Sequence, residues 1–208
     1  MRNLVDRVVC LAGLVALAPV LVVIAGLVRW GDGGPVLFRQ VRVGRCGRSF
    51  VLLKFRSMRV DPGGPAITAA GDGRVTRLGR WLRAYKLDEL PQLWNVVRGD
   101  LSLVGPRPEV RRYVDPGDPV WQRVLSVRPG ITDLATLVYR NEEQLLAGSA
   151  EPERFYREEI LPEKLRLNLR YFELSCWGRD WRLLAMTVGY SLRPAGFTPE
   201  TVLRRLAA

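Results

Sequence analysis

Two adjacent carboxylates, Asp88 and Glu89, are the residues of this sequence whose types and spacing best support chemistry. Pro91 follows them, and an apolar helical period begins at Leu90. Because proline is tolerated only in the first turn of a helix, the pattern predicts a helix that begins near Asp88. Both carboxylates would then lie at a helix N-terminus, where free amide donors and the helix dipole favour negative charge.

A carboxylate pair in this position has two interpretations. The first is a simple N-terminal helix cap. The second is chemical: an ionised Asp88 attacks a phosphoryl group and forms an acyl phosphate at a helix end that favours anions. In that case Glu89 handles a proton or helps to bind Mg²⁺.

The chain is strongly basic, and several of its cations suit phosphate oxygens. The candidates are Lys54, Arg56, Arg83, Lys86, Arg107 and Arg140. Arg107 stands out because the flanking Pro106 and Pro108 stiffen its backbone. The net charge of +11 predicts an anionic partner: nucleic acid, acidic lipid or a phosphorylated substrate.

Three function classes are compatible with this charge. An enzyme acting on phosphate esters at a membrane is favoured by the carboxylate pair and the cations. A membrane-tethered nucleic-acid-binding protein is the alternative that charge alone permits, although the sequence has no recognisable reading module. The intact Asp88–Glu89 pair argues against the third class, an inactive membrane scaffold.

Composition narrows the chemistry further. A chain of 208 residues, 48% of them hydrophobic, suits one globular domain and excludes a disordered tail. The absence of histidine excludes His-based catalysis and most zinc sites. Cys10, Cys46 and Cys176 are too widely spaced for a zinc knuckle or a disulfide framework, which indicates reduced thiols in a cytosolic setting.

The N-terminal segment from Val8 to Val28 is apolar, without charge, and long enough to cross a bilayer. Its length and the arginine-rich segment after it argue against a cleaved signal peptide. Pro19 lies at its centre and bends a helix there, so a spanning helix and a re-entrant one both stay open. Arginines flank both ends, and those that follow the segment predict a cytoplasmic position for the rest of the chain.

The remaining segments predict a mostly helical α/β fold with one small β-hairpin. The hairpin strands are residues 36–43 and 50–55, and loops are predicted at residues 30–35 and 61–73. Helices are predicted at residues 78–85, 90–97 (ended by Gly99), 142–146 and 162–172, the last with Pro162 in its first turn. A further helix face carries Trp177, Trp181, Leu184 and Val188, which is typical of core packing or of a helix lying on a membrane.

From Asp6 to the region of Trp181, the sequence resembles bacterial sugar transferases of the small monotopic phosphoglycosyl transferase family. The strongest signature comprises residues 88–93 and 99–108. Residues 38–44, 54–58, 129–132 and 140–141 are also similar to family motifs.

The resemblance implies a single compact cytoplasmic domain, residues 31–208, preceded by a re-entrant membrane helix, residues 1–30. Such enzymes transfer a sugar-1-phosphate from a UDP-sugar to polyprenyl (undecaprenyl) phosphate, release UMP and initiate a lipid-linked glycan pathway. The expected location is the bacterial inner (plasma) membrane, with the catalytic domain on its cytoplasmic face. The expected partners are UDP-sugar, polyprenyl phosphate and the membrane, without nucleic acid, and a homodimer is compatible with them.

The resemblance also implies roles for single residues. Asp88 is implied as the nucleophile that forms an aspartyl phospho-sugar, and Glu89 as its acid/base and metal partner. Mg²⁺ is the implied cofactor, with Asp88 and Glu89 as its ligands. The implied phosphate or nucleotide contacts are Lys54, Arg83, Arg107 and Arg140.

Two positions depart from the family pattern. Ala18 precedes Pro19 where the family often has serine, so a hydroxyl bond to the helix backbone is missing. Residues 133–136 read Asp-Leu-Ala-Thr where the family often has Gly-Trp-Ala-Gln, so the resemblance does not identify the sugar.

Overall fold

A long apolar helix, α1 (Arg2–Asp32), opens the structure, a computed structural model that describes residues 2–59, 67–174, 176–193 and 198–207. Pro19 lies inside this helix, and Val15 and Val22 are among its many exposed apolar side chains. By length and composition, its segment Asn3–Gly31 is able to cross a membrane. The loop predicted at residues 30–35 begins only after Asp32, because α1 continues through Trp30 to that residue.

The predicted hairpin is confirmed. Strands β1 (Leu37–Val43) and β2 (Ser49–Phe55) pair antiparallel, in a register that joins Leu37 to Phe55 and Val43 to Ser49. A short turn connects them and contains Cys46 in the left-handed region, with φ 56°. This hairpin carries Lys54 near the end of β2.

Two helices follow the hairpin, as predicted: α2 (Arg77–Ala84) and α3 (Gln92–Arg98). The buried Asn95 attaches α3 to the free edge of β2. Its side-chain amide donates to the Val51 carbonyl oxygen (2.8 Å) and accepts from the Leu53 amide (3.1 Å). Gly99 ends α3 with φ 90°, which confirms the predicted stop.

A second small sheet, which the sequence did not predict, lies beside α3. Strands β3 (Ser102–Val104) and β4 (Gly130–Thr132) pair in parallel. Helix α4 (Pro119–Leu125) lies between them in the sequence. The two backbones approach closely at Gly130, where an added Cβ would lie 2.2 Å from the nitrogen of Gly105, the residue after β3. Because β3 and β4 are parallel, their carboxyl ends lie at the same edge, and Arg107 and Asp133 follow there.

The C-terminal half is helical. It comprises α5 (Leu134–Val138), α6 (Glu142–Ala147), α7 (Pro152–Phe155), α8 (Leu161–Leu174), α9 (Trp177–Leu192) and α10 (Pro199–Ala207). Helices α6 and α8 confirm two predicted segments. Pro162 lies in the first turn of α8, as predicted, and a π-helical turn, Tyr156–Ile160, joins α7 to α8 just before it.

Three clusters of buried side chains hold these elements together. The largest joins α3, β3, α5, α8, α9 and α10, and a second surrounds Trp121 and Tyr156. The third packs Ile24 and Val28 of α1 against Phe55 of β2 and Leu82 of α2. The C-terminal half of α1 is therefore packed against the elements that lead to the carboxylate pair.

The core-packing interpretation of α9 is wrong for most of the predicted face. Trp177, Trp181 and Val188 are exposed, whereas α9 buries the face that carries Leu183 and Met186. Helical periodicity places side chains on one face but does not specify what covers that face.

The overall class is confirmed at a coarse level: the described structure is mostly helical, with a small antiparallel hairpin and one N-terminal apolar helix. Of the loop predicted at residues 61–73, residues 61–66 lie outside the described residues. Residues 67–73 contain no helix or strand, in agreement with the prediction.

Candidate active site

The carboxylate pair lies in a short turn that leads into α3. Leu87–Glu89 forms a 3-10 turn, preceded by Lys86 in the left-handed region with φ 56°. Leu90 and Pro91 have right-handed helical angles, so the turn continues directly into α3. The regular α-helix begins at Gln92, later than predicted. The backbone amides of Glu89, Leu90 and Trp94 donate to the carbonyl oxygen three residues earlier, instead of four as in an α-helix.

Asp88 is buried, with 4% of its surface exposed. Its Oδ1 atom has no hydrogen-bond partner among the described residues. Burial raises the pKa of Asp88 above its ordinary value, and the nearby Lys54 offsets this only in part. A buried carboxylate oxygen without a donor is costly for stability, so the position indicates a ligand or a reaction rather than a helix cap.

Glu89 is held by two cations. Its Oε1 accepts from Lys54 Nζ at 3.0 Å and from Arg107 Nη2 at 2.5 Å, and its Oε2 accepts from Arg107 Nη1 at 3.2 Å. Burial alone would raise the pKa of Glu89, but Arg107 and Lys54 outweigh it and hold that pKa well below the ordinary value. Glu89 is therefore ionised and fixed in position by a bidentate guanidinium.

The two cations come from different sheets. Lys54 belongs to β2, and Arg107 follows β3 in the loop that Pro106 and Pro108 restrict. Burial lowers the pKa of Lys54, although Glu89 opposes this effect. The structure thus brings four of the predicted residues together: Asp88, Glu89, Lys54 and Arg107.

The two other predicted contacts, Arg83 and Arg140, bind elsewhere. Arg83 forms an ion pair with Glu143 and lies 3.5 Å from the Ser57 hydroxyl. Arg140 donates to the Ala84 carbonyl oxygen at 3.0 Å, and its guanidinium lies over the Tyr190 ring. The charge of Arg83 still opposes the rise in the pKa of Asp88, so Arg83 acts on the carboxylate electrostatically without a hydrogen bond to it.

Several residues around this site were not predicted from the sequence. Asp133 accepts from the Arg107 backbone amide at 2.9 Å, and Ser57 and Glu143 surround Arg83. Asp133 had one sequence signal, its departure from the family pattern at residues 133–136. Glu143 had none, because it meets Arg83 only through the fold.

Asp88 and Glu89 fit a Mg²⁺ ion whose other ligands are water and substrate phosphates. Within the described ranges, no group of three or more acidic, cysteine or histidine side chains is placed to hold a metal. The pair nevertheless offers the unpartnered Asp88 Oδ1 and a Glu89 Oε2 that accepts one hydrogen bond from the described residues. Mg²⁺ is commonly bound by one or two carboxylates together with water and substrate phosphates, which matches this donor set.

Comparison with known proteins identifies relatives of this chain. The chain is 39% identical over 194 residues to a UDP-glucose:undecaprenyl-phosphate glucose-1-phosphate transferase of Caulobacter vibrioides, covering 90% of this chain and 68% of that protein. It is 43% identical over 127 residues to a UDP-N-acetylgalactosamine-undecaprenyl-phosphate N-acetylgalactosaminephosphotransferase of Aeromonas hydrophila, covering 59% of this chain and 30% of that protein. It is 36% identical over 154 residues to the exopolysaccharide production protein ExoY of Sinorhizobium fredii, covering 66% of this chain and 68% of that protein.

The chain thus spans about two thirds of some relatives and about a third of others. The family model described as bacterial sugar transferase matches residues 1–194, which include α1, both sheets and the carboxylate pair. Because the match extends over nearly the whole chain, the protein belongs to the bacterial sugar transferase family.

Proposed function

We propose that the protein transfers a sugar-1-phosphate from a UDP-sugar to a polyprenyl phosphate such as undecaprenyl phosphate. The observation that carries this proposal is the buried, unpartnered Oδ1 of Asp88 beside a Glu89 clamped by Lys54 and Arg107. A nucleophile next to fixed cations suits a diphosphate substrate. The names of the relatives, which specify undecaprenyl phosphate and UDP-sugars, support the same substrates.

The reaction proceeds in two displacements at one phosphorus atom. Asp88 Oδ1 attacks the sugar-bearing phosphorus of the UDP-sugar, the bond from that phosphorus to the bridging oxygen breaks, and UMP leaves with that oxygen. An aspartyl phospho-sugar remains on the protein. A phosphate oxygen of the lipid then attacks the same phosphorus, and the carboxylate of Asp88 is released as the lipid diphosphate sugar forms.

Glu89 positions charge in this mechanism. Its pKa lies well below the ordinary value, so it is ionised at neutral pH and is a poor proton donor. This favours its role as metal partner and as anchor for Lys54 and Arg107 over a role in proton transfer. Mg²⁺, when bound, supplies positive charge that reduces the repulsion between the diphosphate and the carboxylates.

Polar contacts near both ends of α1 support a re-entrant helix. Near the N-terminus, Asp6 accepts from the Leu103 amide at 3.3 Å, and Arg7 donates to the Arg98 carbonyl oxygen at 3.4 Å. Near the C-terminus, the Val28 carbonyl oxygen accepts from Arg56 at 3.4 Å. A helix that crossed a hydrocarbon core of about 30 Å would carry one end away from the catalytic domain. We therefore place both ends of α1 on the cytoplasmic side of the inner membrane.

The exposed tryptophans support a membrane-bound surface. All six tryptophans lie in the described part of the chain, and Trp121 alone among them is buried. The exposed ones are Trp30, Trp81, Trp94, Trp177 and Trp181. Tryptophan is enriched at the boundary between lipid and water, so these side chains and α1 together favour the membrane interpretation of the α9 face.

The direct test supplies the purified full chain, in detergent, with undecaprenyl phosphate, Mg²⁺ and one UDP-sugar at a time. UDP-glucose, UDP-galactose and UDP-N-acetylgalactosamine form the first panel, and UMP and lipid product are measured. The proposal expects at least one UDP-sugar to yield both products in equal amounts. Nucleotide loss without lipid product, or no product from any UDP-sugar, contradicts it.

A further inference from the structure

The backbone amide of Arg107 is bound by a side chain, that of Asp133. In the segment from Pro106 to Pro108, Arg107 alone has an amide hydrogen, because proline has none. That amide donates to Asp133 Oδ2 at 2.9 Å. The same residue places its guanidinium in bidentate contact with Glu89.

Asp133 is itself firmly placed. It is 1% exposed, and its Oδ1 accepts from the Thr136 amide at 2.5 Å as the N-cap of α5. One carboxylate therefore joins the loop after β3 to the start of α5. The parallel pairing of β3 and β4 makes this contact possible, because it brings the residues after both strands to one edge.

The charges along this chain of contacts are complementary. The Arg107 guanidinium contacts Glu89, and the Asp133 carboxylate binds the Arg107 amide. Burial lowers the pKa of Arg107, but Glu89 and then Asp133 outweigh it and raise that pKa above the ordinary value. Asp133 is also a departure from the family pattern, which often has glycine at this position. A glycine has no side chain with which to accept from the Arg107 amide.

We propose that Asp133 is a positioning residue, which holds the backbone of Arg107 so that its guanidinium fixes Glu89 beside Asp88. Its effect on catalysis rests on the proposed function. Its effect on Arg107 does not, and the two are measured separately.

The substitution Asp133→Ser tests the effect of Asp133 on the Arg107 backbone, with Asp118→Ser as the matched control. Serine caps helices as well as aspartate, but its single, shorter side-chain oxygen cannot serve Thr136 and Arg107 together. Asp118 caps α4 by accepting from the Val120 amide at 2.8 Å, away from the carboxylate pair. The readout is the hydrogen exchange rate of the Arg107 amide, measured by NMR on the full chain without substrate. We expect at least a 10-fold faster exchange in Asp133→Ser and an unchanged rate in Asp118→Ser.

An unchanged Arg107 amide in Asp133→Ser overturns the proposal, even if the protein transfers sugar phosphate as proposed. An equal acceleration in both variants also overturns it, because both then report a general loss of helix stability. Since this readout needs no substrate, a failure of the proposed function does not affect it.

A double-mutant cycle tests the catalytic effect. In the wild-type background, Asp133→Ser should lower kcat/KM for the UDP-sugar roughly 10- to 100-fold, as a small misplacement of a catalytic group does. In an Arg107→Ala background, the same substitution should cost less than about 3-fold, because no guanidinium is left to position. A loss of the same size in both backgrounds contradicts a role through Arg107 and indicates a purely structural one.

Discussion

The two adjacent carboxylates of the candidate active site have different surroundings. Asp88 has a buried oxygen without a partner, whereas Glu89 accepts three hydrogen bonds from Lys54 and Arg107. Burial raises the pKa of one and neighbouring cations lower the pKa of the other. Environments that separate two pKa values in this way assign separate roles to the pair.

The substitution Asp88→Asn should abolish transfer while the fold is retained. The amide is nearly isosteric with the carboxylate but is a very poor nucleophile. The initial rate of UMP release, measured beside the unfolding midpoint of each variant, provides the check. A residual rate above a tenth of wild type, which corresponds to about 1.4 kcal/mol of barrier, would show that Asp88 is not the nucleophile.

The pH dependence of kcat/KM should report Asp88, because this ratio reflects the groups of the free enzyme. The nucleophile must be ionised, and its raised pKa means that activity is lost, as pH falls, at a pH above the ordinary aspartate value of 3.8. Glu89 stays ionised through this range because its pKa is lowered. A profile of kcat/KM from about pH 4 to pH 8 tests this. A flat profile across that range contradicts the raised pKa of Asp88.

Sequence reasoning found the pair and its two direct partners but not the full set of contacts. Asp88, Glu89, Lys54 and Arg107 come together as expected. Arg83 and Arg140 instead bind Glu143 and the Ala84 carbonyl oxygen. Residue type and spacing identify groups able to bind phosphate, but only the fold decides which competing acceptor each arginine meets.

At the element scale, local patterns predicted local structure. The hairpin, α2, α3 and α6 were predicted because each is encoded by periodicity and turn residues within its own segment. The parallel pair β3 and β4 was missed, because strands of three residues leave no periodicity and pair across the intervening α4. Two interpretations of the α9 face stayed open, because the same apolar stripe suits a protein core or a lipid surface, and the structure excludes core packing for most of that face.

The membrane topology of α1 is tested by cysteine labelling. A cysteine introduced as Asn3→Cys should not react with a membrane-impermeant maleimide applied to intact cells, because a re-entrant helix keeps this end in the cytoplasm. The exposed Cys46 and Cys176 are first changed to serine so that they do not contribute signal.

Labelling of the same variant after permeabilisation confirms that the thiol is reactive. Labelling of intact cells would show that α1 spans the membrane. Pro19→Ala should increase such labelling, because proline inside a helix favours a bend and its removal favours a straight helix.

At the scale of the whole molecule, charge and apolar surface are combined on one small protein. The net charge of +11 suits the anionic nucleotide, the lipid phosphate and an acidic membrane. Helix α1 has polar contacts with the rest of the protein near both of its ends, so a membrane bound to α1 would lie near the elements that carry the carboxylate pair. In the proposed function, this arrangement brings a lipid-linked phosphate close to a soluble nucleotide.

Activity of the whole enzyme should depend on a divalent cation. The diphosphate and the carboxylate pair repel each other, and a hard cation such as Mg²⁺ relieves that repulsion. UMP release should fall at least 10-fold in excess EDTA and recover when Mg²⁺ is restored. Full activity in the chelator refutes the requirement.

The most direct test of the central claim is exchange of labelled UMP into the UDP-sugar that proves active, without any polyprenyl phosphate. A covalent phospho-sugar on Asp88 forms and reverses in the absence of lipid, so label should enter the UDP-sugar at a rate comparable to turnover. Asp88→Asn should show no exchange. If wild-type enzyme that transfers sugar phosphate shows no exchange and double-reciprocal plots intersect, transfer is direct within a ternary complex, and Asp88 is not the nucleophile.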